Sequence, residues 1–175
     1  MRRLLPVALL VAGGLAGCGS SGASATSTSA DAAFVRHMLP HHVRAIAVGQ
    51  LAEHRGADPR VRAFGGRIVR EQTPEERRLA SWVGTLGLTR APEDAAAATG
   101  IVSDPALARL RAQPRGRAFD RAVLLASARA ELGAASMAAL ELRSGTYAPA
   151  RALARSISTA PGGEVRELRA LAAGR

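Results

Sequence analysis

An all-α fold, an antiparallel four-helix bundle made of two duplicated helical hairpins, is what this sequence predicts. Three observations carry it. Apolar residues recur at helical spacing over four long segments, with no useful run of β alternation. Gly, Asp and Pro stand where such helices must stop and restart. A shift of 89 residues lays one half of the chain on the other without a gap.

The elements follow in order. Met1-Arg2-Arg3 and the apolar stretch Leu4 to Leu15 have the form of a secretory signal, shorter than the ~18 apolar residues of a membrane-spanning helix. Leu15-Ala16-Gly17-Cys18 resembles the bacterial lipobox, in which the Cys takes diacylglycerol and becomes the first mature residue. Residues 1–17 are thus expected to be a lipoprotein signal peptide and Cys18 the attachment point to the membrane. Residues 18–30, small and polar, read as a flexible tether. The four-helix domain is expected over 31–175.

Hairpin one is expected over 31–86. Phe34, Met38, Ala45, Val48 and Ala52 share one helical stripe, and Gly56-Ala57-Asp58-Pro59 supplies a C-cap, an N-cap and a first-turn proline. Val61, Phe64, Ile68, Leu79 and Trp82 form the facing stripe of an antiparallel partner. Pro40 predicts a kink in the first helix. Thr73-Pro74-Glu75-Glu76 matches a capping box and predicts a break in the second. A connecting segment, 87–116, carries loop signals and one short helix from Asp104 to Arg111. Hairpin two covers 117–173, interrupted at Pro161-Gly162-Gly163. The 89-residue shift pairs Asp31 with Asp120, Gly56 with Gly145, Arg62 with Arg151, Ile68 with Ile157 and Glu75 with Glu164.

Composition narrows function. Only 3% of residues are aromatic, and all 24 basic residues are Arg. Loss of Arg2 and Arg3 with the signal leaves 22 Arg against 14 acids, a formal charge of +8. With no nucleic-acid motif and almost no ring to stack on bases, no nucleic-acid partner is expected. One Cys excludes disulfide frameworks and Cys-rich zinc modules.

All four His lie in hairpin one. His37 and His41 form an i,i+4 pair, and Met38 and His42 form another on the adjacent stripe. Imidazole suits copper, zinc and nickel, and a thioether favours Cu(I). The hairpin register sets Glu75 and Gln72 level with His41 and His42, as ligands or as partners of a ligating ring. The competing reading is a buried His–Glu or His–Gln pair that satisfies its own polar groups. His54 ends the first helix, where its charge suits the dipole. No His follows a Glu at +3, so a di-iron carboxylate oxidase is not expected. No Ser or Cys stands near the His cluster in a nucleophile motif, so no enzyme is expected.

Asp31, Phe34, Met38, His41-His42 and Ala45, followed by Ile68, Gln72, Glu75 and Trp82, resemble the bacterial domain of unknown function 305 family over Asp31 to about Leu171. The resemblance implies a ferritin-like bundle, secreted or lipid-anchored, often carrying the pattern twice, with copper binding and resistance in some members. The second half departs from the pattern. Ser127 replaces the Met, Ala130-Glu131 the His pair, Pro161 the Gln and Leu171 the Trp; Glu164 remains. The expectation is an extracytoplasmic lipoprotein binding copper through His41, His42, Met38 and His37, with Glu75, Gln72, Glu131 and Glu164 in support. The alternative is a non-catalytic scaffold docking an envelope partner, its His pair a packing device.

Overall fold

The computed structural model describes residues 27–89, 100–159 and 161–174. The expected signal peptide, Cys18, most of the expected tether and residues 90–99 lie outside the described residues. Six helices are described: α1 (Ser29–Arg55), α2 (Pro59–Thr85), α3 (Asp104–Ala112), α4 (Arg117–Ser144), α5 (Ala148–Thr159) and α6 (Pro161–Ala172). No strand occurs among the described residues. α1 packs on α2 and on α4, and α4 packs on α5 and α6. The fourth long helix of the duplicated plan is the broken pair α5–α6, and α6 starts on Pro161 itself, where the sequence places the interruption.

α1 starts two residues before Asp31, because Thr28 and Asp31 make a reciprocal capping box. Pro40 lies inside α1 without ending it. The break expected at Thr73 is absent: α2 runs unbroken to Thr85, and the Thr73 hydroxyl donates to the Val69 carbonyl at 2.6 Å instead of capping a new helix. The reason is burial. Leu79 and Trp82, beyond Pro74, reach the core only if they continue the stripe of Phe64 and Ile68, and all four are buried.

Two apolar clusters fill the interior. One gathers Phe34, Met38, Leu79 and Trp82 with Met137 and Leu153; the other gathers Val48, Phe64 and Ile68 with Phe119, Leu124 and Leu168. His41 and His42 fall between them in the order of α1, so a polar layer crosses the middle of the bundle.

The duplication is visible in hydrogen bonds. The Asp31 carboxylate accepts the N–H groups of Thr146 (2.9 Å) and Tyr147 (2.8 Å), in the α4–α5 turn. Asp120, its equivalent, accepts those of Ala57 (2.9 Å) and Asp58 (2.8 Å), in the α1–α2 turn. Each hairpin's first helix thus pins the turn of the other hairpin. Arg62 donates to the Gly56 and Ala57 carbonyls, and its equivalent Arg151 donates to those of Gly145 and Leu142.

α1 and α2 approach closely where Gly49 faces Gly65. A Cβ on Gly65 would overlap backbone atoms of Glu53 and Gly49, which cannot swing aside. Gly65→Ala is expected to cost about 2–3 kcal/mol through overpacking. Gly84→Ala, with nothing within 4 Å of its Cβ, should gain about 0.5–1 kcal/mol of helix propensity. Urea unfolding of the two variants beside the parent checks both signs.

Candidate metal centre

The antiparallel register works as expected for one pair. His42 Nε2 lies 3.0 Å from Glu75 Oε2, across the α1–α2 interface. His42 Nδ1 lies 3.2 Å from the Met38 carbonyl one turn back. Both partners are acceptors, and a ring carrying a proton on each nitrogen would donate to both. Arg78 flanks Glu75 from the next turn, at 3.6 Å. Glu75 thus stands between the His42 ring and the Arg78 guanidinium.

His41 takes a different partner. Its Nε2 donates to the Ala130 carbonyl of α4, 2.9 Å away. Ala130 is the residue that the 89-residue shift matches to His41, so the axis relating the halves passes beside this ring. The residue is 1% exposed, and its Nδ1 meets no hydrogen-bond partner. Burial, then the neighbouring His42 charge, lowers its pKa from 6.5 to about 4, against the opposing pull of the Ala130 carbonyl. His41 is neutral at ordinary pH.

The second half carries the mirror of this layer in altered form. Glu131 occupies the place of His42, and Glu164 that of Glu75. Where hairpin one pairs a ring with a carboxylate, hairpin two sets two carboxyls together. Burial, then repulsion from Glu164 and Glu75, raises the Glu131 pKa from 4.5 to about 7, with Arg67 opposing. Arg67 reaches from α2 to Glu164 on α6 at 2.8 Å and supplies the missing cation. Sequence reasoning did not single out Arg67. Its match in the second half is Ser156, so the repeat offers no signal for it.

The sequence-predicted ligands do not assemble into a donor set. His41 and His42 have ring centroids 6.1 Å apart and tilted by 58°, and each points its Nε2 at a different helix. Met38 is fully buried in the apolar cluster. Gln72 Oε1 is shut from solvent with no hydrogen-bond partner. His37 is half-buried and turns away, lining a cleft of about 380 Å³ between α1 and α4 whose other wall includes Met137 and Leu140. Among the described residues, no three His, Cys, Asp or Glu side chains converge as metal ligands. Of the His41–His42 pair, one lone pair is uncommitted, on His41 Nδ1, and it is sealed in the core. The central layer as it stands does not fit a metal ion.

A duplicated helical bundle with a buried His–Glu layer at its waist defines the class of protein. The chain belongs to the DUF305 family, a domain of unknown function, which matches residues 31–172. Its fold is similar to that of a DUF305 fragment from Deinococcus radiodurans (TM-score 0.74, 24% identity, 85% of this chain and 99% of that one). It is also similar to a DUF305 protein from Streptomyces coelicolor assigned as secreted (TM-score 0.72, 23% identity, 83% and 91%). CopM, solved in a copper(II)-bound form, shares the fold at TM-score 0.64 and 18% identity, over 82% of this chain and 96% of that one. The silver-bound form of CopM matches at TM-score 0.66 and 19% identity, over 82% and 95%. No curated protein matches the chain.

Proposed function

We propose that this protein is a non-catalytic, extracytoplasmic DUF305 bundle, held at the membrane through Cys18, in which the His41–His42–Glu75 layer specifies packing. One observation carries this reading: both nitrogens of His42 and Nε2 of His41 are engaged by protein acceptors, and both rings are buried. Such a layer fixes the register of α1 against α2 and α4, because any slip strands a polar group in the core. The secreted Streptomyces relative and the signal-like N-terminus support the location.

Soft-metal uptake is the second reading, favoured by the fold match to metal-bound CopM. In this chain it falls on His37 and Met137, which line one cleft and offer an imidazole and a thioether, donors suited to Cu(I) or Ag(I). Titration with Cu(I), Ag(I) and Zn(II) separates the readings. His41→Gln/His42→Gln is expected to lower stability by about 2–4 kcal/mol and leave metal uptake unchanged. His37→Ala/Met137→Leu is expected to leave stability nearly unchanged and to remove any Cu(I) uptake. Tight uptake lost only in the His41/His42 variant would sink the proposal and return the metal to the core.

A further inference from the structure

Charge is spread unevenly over the bundle. Residues 54–62 and 109–121 hold eight arginines and two aspartates, whereas the rest of the described chain holds twelve arginines and ten acids. These two segments meet at one end of the molecule. Arg55 donates to the carbonyls of Arg111 and Gln113, at 2.5 Å each, and the Asp120 carboxylate holds the Ala57 and Asp58 N–H groups. A general enrichment in Arg would be shared among all faces. Here the excess positive charge collects at one end and the remainder is near balance.

The charge at this end is also poorly neutralised. Arg55, Arg62 and Arg115 spend their hydrogen bonds on backbone carbonyls, which carry no net charge. Asp120 is occupied by backbone N–H groups. Asp58 pairs with Arg60 at 2.8 Å. A cleft of about 420 Å³ opens here between the start of α2, the start of α4 and the end of α6, lined by Arg60, Arg117 and Arg121 together with Asp58 and Asp120, whose carboxylates are already held by Arg60 and by backbone N–H groups. All three arginines are exposed.

We propose that this end of the bundle binds a flexible, phosphate-bearing polyanion. Guanidinium forks match phosphate oxygens in pairs, and several on one face hold successive phosphates of a chain. A base-reading role is disfavoured because the local ring, Phe119, is buried and covered by Arg55, 5.0 Å from its centroid. A bilayer is disfavoured by position. The exposed large apolar side chains, Val43, Leu125, Leu132 and Leu140, lie along the flanks of α1 and α4. α1 is 27 residues long, roughly 40 Å, and the chain enters it at the opposite end, at Thr28. A tether through the preceding residues would therefore leave the basic end facing away from its anchoring surface. The proposed extracytoplasmic location determines only where such a polymer is met; the binding itself does not depend on it, nor on any metal.

The test uses the protein immobilised through its N-terminus, with long-chain inorganic polyphosphate and, separately, phosphatidylglycerol vesicles. Polyphosphate is expected to bind and to weaken steeply with salt, as counterion release requires. Arg60→Glu/Arg117→Glu/Arg121→Glu should weaken it at least tenfold and flatten the salt slope. Arg77→Glu/Arg143→Glu/Arg155→Glu, the same charge change on exposed sites elsewhere, should weaken it less than threefold. Thermal unfolding verifies that both variants fold. Equal losses in the two variants, no polyphosphate binding by the parent at low salt, or tighter binding to vesicles than to polyphosphate would each overturn the proposal.

Discussion

Asp31→Ala is expected to destabilise the protein by about 3–5 kcal/mol at pH 5–6, among the largest effects available to a single substitution here. Asp31 is fully buried at the start of α1. Its carboxylate accepts from the N–H groups of Thr28, Thr146 and Tyr147 and from the hydroxyls of Thr28 and Thr146. Alanine leaves two turn amides without their acceptor and removes half of the capping box, worth about 1 kcal/mol by itself. Burial alone would push this carboxyl up. The bonds from Thr28 and Tyr147 outweigh it and hold the group well below the usual carboxylate range. The sign follows from that depression: the contribution is present above the ordinary value of 3.8 and is lost as pH falls toward the folded one. Asp120→Ala removes two turn bonds and no capping box, so its cost should be smaller, about 2–3 kcal/mol. Urea unfolding of the two variants ranks them; equal costs would mean that the capping box adds nothing.

What could be read in the sequence was local or periodic. Helical stripes, the Gly56–Pro59 turn and the Pro161 interruption depend on neighbours a few residues apart. The 89-residue shift placed the halves on each other. The His42–Glu75 pair followed from register, because a short turn between antiparallel helices fixes which residues stand level. Contacts between hairpins were out of reach. Asp31 and Asp120 each sit in a first helical turn, where the dipole already accounts for an acid, so nothing marks them as holding the opposite turn. His41 bonds a carbonyl on α4, and a carbonyl has no sequence signature. Met137 and His37 line one cleft because α1 packs on α4. The capping-box pattern at Thr73 misled because burial of Leu79 and Trp82 outweighs a local preference to cap.

Glu141→Gln is expected to stabilise the protein at pH 8 by roughly 3 kcal/mol and to leave it nearly unchanged at pH 4.5. The first hairpin has Ala52 at the matching position; the second buries a carboxyl there, 0% exposed, beside the Asp31 carboxylate to which its protonated form can donate. Gly145 makes the room, since a Cβ there would overlap the carboxyl. Burial, then the nearby Asp31 carboxylate, raises the Glu141 pKa from 4.5 to about 7, and Arg151 only partly offsets them. With the folded value raised, the folded protein keeps a proton that the unfolded chain has released. Stability from this group is therefore full below about 4.5 and is lost as pH rises to about 7. Glu131 has the same sign over the same window. His41 has the opposite sign: its value falls from 6.5 to about 4, so the folded state gains stability as pH rises between them. The parent's total profile mixes these effects, and the informative quantity is the difference between parent and variant. Gln keeps the shape, cannot ionise, and can donate its amide to Asp31. If the two unfolding profiles run parallel from pH 4.5 to 8, Glu141 does not hold a proton in the folded protein. If they diverge as expected, repeating the comparison of Glu141→Gln with its parent in an Asp31→Ala background should narrow the divergence without abolishing it, because the Asp31 carboxylate is then absent while burial, the larger cause, remains.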